Sequence, residues 1–166
     1  MQNQSNTKIN KVYLLTVLLL MFVLPTAAIL IEVYTSKQSL SISLMGKWFV
    51  FFAIGLRLFT AGLKQAITPS FTAQSIFHIQ DKASFVVVRE LGFANICFGL
   101  LGIASLFVPQ LCIAAACTGG FYLGIAGIQH IIKKPVSANE WLAMVSDMFI
   151  FLLMIAYVFT YISSKP

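Results

Sequence analysis

Charge is what this sequence has least of. Asp, Glu, Lys and Arg make up 10% of its 166 residues, where a soluble domain carries about 25%, so the chain cannot cover a water-facing surface in the ordinary way. Histidine is nearly missing as well. With only His78 and His130, no HxxxH pair and no clustered carboxylates, no metal- or haem-ligating pattern is present. The three cysteines, Cys97, Cys112 and Cys117, form no CxxC pair and lie inside apolar stretches, where a free thiol behaves as a small hydrophobe. There is no P-loop, no GxGxxG, no GxSxG and no zinc spacing. Gly119-Gly120 falls in mid-run and cannot cradle a phosphate. No self-sufficient enzyme site is therefore expected. The eleven basic residues outnumber five acidic ones, but they are scattered at the ends of apolar runs. That placement fits a lipid bilayer as partner and not nucleic acid.

What the chain does have is hydrophobicity: 59% of residues, with mean hydropathy +0.91. Its length fits one bundle. Five apolar runs, residues 12–33, 46–67, 85–107, 111–132 and 140–162, each reach the roughly 20 residues that cross a bilayer. Residues 1–11 read as a polar tail. Residues 68–84 are too polar to span and read as an interfacial segment, with Thr68 as N-cap, Pro69 at the first helical position, and Phe71, Ile76, Phe77 and Ile79 turned to lipid or bundle. Pro25-Thr-Ala-Ala28 resembles a signal cleavage site, yet Ile29, Leu30 and Ile31 prolong the run; the expectation is an uncleaved span kinked at Pro25. The predicted fold class is an all-α membrane protein of five transmembrane helices.

The basic residues set an expected orientation. Lys8, Lys11, Lys64, Lys82, Arg89, Lys133 and Lys134 fall on one side of such a bundle, Lys37, Lys47 and Lys165 on the other. This places the N-terminus in the cytoplasm and the C-terminus outside, in a bacterial-type inner membrane. Tyr13 and Trp141 then mark the inner interface, and Tyr34, Trp48 and Tyr161 the outer one.

Two patterns lie within the runs. Gly92, Asn95, Gly99 and Gly102 share one face of the third, and Ala116, Gly120, Gly124 and Gly127 one face of the fourth. Because Val108-Pro109-Gln110 allows only a tight turn, these stripes are expected to face each other as a close hairpin, with Asn95 hydrogen-bonding across it. The second pattern is charge. Arg57 and Lys64 lie seven residues apart on the second run, Glu140 and Asp147 on the fifth. Arg57 sits about 15 Å and Asp147 about 12 Å from the inner ends of their spans. Matching depths make Arg57–Asp147 the expected buried pair and Lys64–Glu140 a shallower one, with Glu90 an alternative acid. His130 is expected to be an exposed cap at a helix C-terminus. Two readings of these charges stay open: an ion pair that fixes helix register, or an inward-facing pocket of Arg57, Glu90, Asp147 and His130 that binds an anion or quinone headgroup or relays protons.

The run Gly55-Leu-Arg57-Leu-Phe-Thr-Ala-Gly62-Leu-Lys64, followed by Arg89-Glu90-Leu-Gly92-Phe-Ala-Asn95-Ile-Cys-Phe-Gly99-Leu-Leu-Gly102, resembles the DoxX-like membrane proteins or a related bacterial family. The resemblance covers about residues 46–162, with Arg57, Lys64 and Glu90 at pattern positions; the span at 12–33 is additional. It implies a four-helix bundle and a part in a membrane redox or stress-response assembly, as a subunit or quinone-type ligand binder. A small transporter or channel subunit, or a structural partner in a homo-oligomer or with another membrane protein, are the alternatives.

Overall fold

The fold was analysed in a computed structural model that describes residues 8–37 and 39–164. The first seven residues of the expected tail, and Lys165, lie outside them. Five helices are long and apolar enough to cross a membrane. They are α1 (Lys11–Ser36), α2 (Ile42–Ile67), α4 (Phe85–Ala104, led by a 3-10 turn at Lys82–Ser84), α5 (Leu111–Lys133) and α6 (Ala138–Ser163), with the short α3 (Pro69–Ser75) between α2 and α4. Among the described residues no strand occurs.

Caps account for most of the boundaries. Asn10, Ser41 and Ser137 each accept a hydrogen bond from a backbone N–H in the first turn, of Tyr13, Leu44 and Glu140 respectively. Ser41 thus starts α2 four residues before the expected residue 46. Thr68 makes no such bond, and α3 begins on Pro69 alone, which needs no donor there.

Two helices carry π-helical stretches. In α1 the stretch Leu19–Val23 comes just before Pro25, and the Leu24 N–H reaches back to the Leu19 carbonyl. The wider turn absorbs the missing proline N–H, so α1 runs on to Ser36. In α2 the stretch Val50–Leu56 ends at Arg57, whose N–H is shared between the Phe52 and Ile54 carbonyls. Such insertions rotate everything after them and cluster at functional sites.

The helices close in the order α1, α2, α4, α5, α6 and back to α1. Phe98 stacks near Tyr122 between α4 and α5, their centroids 5.1 Å apart, and Phe22 of α1 meets Phe149 of α6 at 5.2 Å. The Asn10 N–H donates to Asn139 Oδ1 at 2.8 Å, tying the start of α1 to α6. Met21, Val50, Ala53, Ile54, Ile150 and Met154 are fully buried at the centre, while Phe121, Ile125, Leu152 and Phe159 are exposed on the outside, as lipid-facing side chains are.

The glycine stripes do not face each other. Gly92, Gly99 and Gly102 of α4 pack against α2, where they meet Gly62, Phe59 and Gly55. Gly120, Gly124 and Gly127 of α5 pack against Met154, Phe151 and Met148 of α6. The tight turn makes α4 and α5 neighbours, but the large Phe98 and Tyr122 occupy their contact, and each small-residue face goes to the helix on its other side. Without a hydrophobic drive between helices in lipid, that closeness supplies the packing.

The two interfaces differ in how they respond to a methyl group. A Cβ on Gly102 would stand 2.7 Å from the Gly55 backbone, whereas one on Gly127 would meet the Met148 sulfur, the end of a flexible side chain. Gly102→Ala is therefore expected to lose about 1–3 kcal/mol and Gly127→Ala well under half of that. Denaturant titration of both variants in detergent micelles checks this; equal losses would show that backbone contact between α2 and α4 is not what matters.

Candidate functional site

Polar side chains gather in the half of the bundle nearer the N-terminus. Arg57, just past the π-helical stretch of α2, donates from Nη2 to Asp147 Oδ1 of α6 at 2.5 Å and to Ser146 Oγ at 2.8 Å. Arg57 is 8% exposed and Asp147 6%. Taking two charges out of water costs several kcal/mol each, offset here by their attraction at contact distance. The pair expected from matching depths is formed. Ser146 in turn donates to the Ala143 carbonyl, which keeps its lone pairs toward the guanidinium. The Tyr13 hydroxyl of α1 lies beside the same guanidinium.

The other charged and polar residues sit elsewhere than expected. Lys64 does not reach Glu140. Its Nζ lies 3.5 Å from the centre of the Phe71 ring, because α3 folds over the end of α2 and offers an aromatic face first. Glu140, 5% exposed, takes the Val136 N–H at 2.9 Å and stands 3.3 Å from His78 Nε2 and 3.7 Å from His130 Nδ1. His130 is thus a buried residue between α5 and α6, and not an exposed cap. Glu90 is exposed and makes no ion pair among the described residues; it lies opposite the glycine face that α4 commits to α2. Arg89 donates from Nε to the Ala66 carbonyl at 3.1 Å. Asn95 bonds to α2, its Nδ2 donating to Gln65 Oε1 at 2.6 Å, and its amide also meets the Tyr122 side chain of α5 across the hairpin. The same face that carries the glycines carries Asn95, so it turned with them.

These groups surround a cavity of about 260 Å³, walled by all five spanning helices and by α3. Arg57, Lys64, Asn95, His130 and Asp147 line it, together with Tyr13, Phe71 and Tyr122. Phe71 stands between Lys64 and Tyr13, 6.1 Å from the latter ring, and covers the gap between α2 and α1. Three buried polar atoms around the cavity have no hydrogen-bond partner among the described residues: Arg57 Nη1, Asn95 Oδ1 and His130 Nδ1. Buried polar groups are nearly always satisfied, so such atoms ask for an explanation. On the far side of Arg57 the layer of Met21, Val50, Ile54, Ile150 and Met154 is fully buried and wholly apolar, and it ends the cavity.

Tyr13, Gln65, Tyr122 and Ser146 belong to the site without having been singled out from the sequence. Gln65 was detectable, being an amide one residue from Lys64 in a span. The tyrosines carried no signal that set them apart from interface anchors. Glu32 was also passed over. It accepts from Lys47 Nζ at 2.7 Å and from Trp48 Nε1 at 2.7 Å, so Trp48 is an anchor with a specific partner. No group of His, Cys, Asp or Glu able to hold a metal ion occurs among the described residues.

Five helices long and apolar enough to cross a membrane define a multi-pass membrane protein. Residues 13–165 match a family of unknown function (DUF6790), and the chain belongs to that family. No curated protein and no solved structure matches it.

Removing one member of the central pair leaves the other charged and buried. Arg57→Leu and Asp147→Leu are each expected to lose about 3–5 kcal/mol, and the double Leu variant to lie closer to the native protein than either. Unfolding titrations of the four proteins give the coupling; simple addition of the two losses would mean that the pair does not act as one unit.

Proposed function

We propose that this chain is a DoxX-like, ligand-binding subunit of a membrane redox or stress-response assembly, and that its cavity takes a quinone-type headgroup. The observation that carries the reading is the set of unpartnered atoms around the cavity. Arg57 Nη1 can only donate and Asn95 Oδ1 can only accept, while His130, whose Nδ1 stands toward Glu140, lines the space with the rest of its ring. A headgroup that presents carbonyl acceptors when oxidised and hydroxyl donors when reduced suits a donor and an acceptor set around one space. The walls are aromatic and aliphatic, with Tyr13, Phe71, Tyr122, Leu58 and Leu123 in contact with the space, as is usual for a site holding a flat apolar ring by a few polar groups. Its volume, about 260 Å³, suits a headgroup and not a large solute.

The resemblance of the Arg57–Lys64 and Arg89–Gly102 segments to DoxX-like proteins supports the assembly. The basic residues support an inner-membrane placement with a cytoplasmic N-terminus: Lys11, Lys64, Lys82, Arg89, Lys133 and Lys134 sit at that end, Lys37 and Lys47 at the other. The apolar layer beyond Arg57 favours a dead-end binding site over a path for transport.

Decylubiquinone is expected to raise the melting temperature of the purified protein saturably, with about 2.7 kcal/mol of stabilisation at a hundred times its Kd. Ala126 lines the cavity, and Ala126→Phe fills it without removing any polar group. That variant should keep its fold and lose the shift. A shift of the same size in Ala126→Phe would move the ligand elsewhere, and no saturable shift in the native protein would end the quinone reading.

A further inference from the structure

One cluster of titratable groups touches the ligand cavity only through His130, and it leads from water to the cavity wall. Glu140 is almost wholly buried, yet it is flanked by two imidazoles from different elements. On one side is His78, in the segment after α3, with a side chain 36% exposed. On the other is His130 of α5, buried, lining the cavity, and with its Nδ1 unpartnered. His78 is held at φ 57, a left-handed conformation more usual for glycine, where the Ile79 N–H closes on the Ala73 carbonyl at 2.8 Å. That turn brings the His78 ring to the carboxylate. The Val136 N–H donates to the same Oε2 that faces His78, and the Ser137 hydroxyl accepts from the Glu140 backbone N–H.

We infer that His78, Glu140 and His130 form a proton relay between the aqueous N-terminal face and the cavity. A protonated His78 gives its Nε2 proton to Glu140 Oε2: an N–H bond breaks, an O–H bond forms, and both charges are discharged. After a half-turn of the carboxyl group, in which the Val136 N–H passes from one carboxyl oxygen to the other, the acid gives that proton to His130 Nδ1 and is a carboxylate again. The 3.7 Å between these atoms closes to hydrogen-bond length with under about 1 Å of side-chain movement, the looseness common in sites without their ligand. His130 then releases a proton from Nε2 into the cavity and returns to neutral. No electron moves. Facing His130 are Glu140 and Asp147 from α6, with Arg57 and Lys64 of α2, Tyr13 of α1 and Tyr122 of α5 around the same space.

The relay deepens the ligand reading, on which its purpose rests: a ligand in the cavity exchanges protons with the N-terminal face, since the opposite side is closed by the apolar layer. The test needs no ligand. The chain has only two histidines, so protein labelled with 15N-histidine in lipid nanodiscs shows only two imidazoles. Exchange of the His130 ring N–H with water is expected to slow about tenfold or more in both His78→Gln and Glu140→Gln. His78 is at the surface, so His78→Gln carries the test if Glu140→Gln does not fold. Unchanged exchange in His78→Gln would overturn the relay and show that water reaches His130 by another route. Decylubiquinone titration of the same samples reports on the ligand separately, so each idea fails on its own measurement.

Discussion

A guanidinium and a carboxylate, both removed from water, tie α2 to α6 halfway through the bundle, and the rest of the polar architecture is arranged around that bond. Neither charge is tolerable alone at that depth, because an unpaired ion in a low-dielectric interior is left without its solvation. The bond between them uses Arg57 Nη2, while Ser146 accepts from the same nitrogen. The other terminal nitrogen, Nη1, is buried without a hydrogen-bond partner among the described residues, and the Tyr13 side chain lies beside the guanidinium. A pair that only locked two helices would not need a donor to spare, and the proposed ligand site rests on that surplus.

Reaching that geometry depends on backbone shape more than on the charges. The π-helical turns of Val50–Leu56 set the angular position of Arg57, and glycine-to-glycine contact sets how close α4 comes to α2. With Gly62 against Gly92 and Gly55 against Gly102, the same approach that packs the helices brings Asn95 to Gln65. The amide pair therefore reads as a consequence of the glycine face, and Asn95 lines the cavity for the same reason.

Much of this was legible in the sequence, and what was not has specific causes. Five spans follow from run length and hydropathy, and the Arg57–Asp147 pair from seven-residue spacing and depth, since both rest on the 1.5 Å rise that every helix shares. Which helix a small-residue face would meet was not legible. Gly92, Asn95, Gly99 and Gly102 define a direction on α4, but α2 and α5 are both neighbours, and only the bulk of Phe98 and Tyr122 between α4 and α5 decides against the hairpin. His130 and Glu140 were misplaced for a related reason. They meet each other because the 68–84 segment, too irregular for periodicity to place, brings His78 to Glu140 and lays Phe71 against Lys64. The π-helical stretches left no pattern at all, because they replace one apolar residue by another.

The asymmetry between the two halves bears most directly on function. On the N-terminal side of Arg57 the interior holds Asp147, His130, Glu140, Asn95, Gln65, Tyr13 and Tyr122; on the other side it is mostly methionine, isoleucine, valine and alanine, with the Tyr157–Cys112 hydrogen bond and Ser105 as its buried polar groups. The one further charged cluster there, Glu32 with Lys47 and Trp48, sits at the far end of α1 and the start of α2, where it fastens those helices near the interface. A conduit needs polar groups, or an aqueous gap, along its whole length, since an ion meeting an apolar layer loses its hydration without replacement. A site that only binds from one face needs them on that face alone. The charged side chains of the interior are gathered on the N-terminal side, the distribution that the proposed one-sided binding would use.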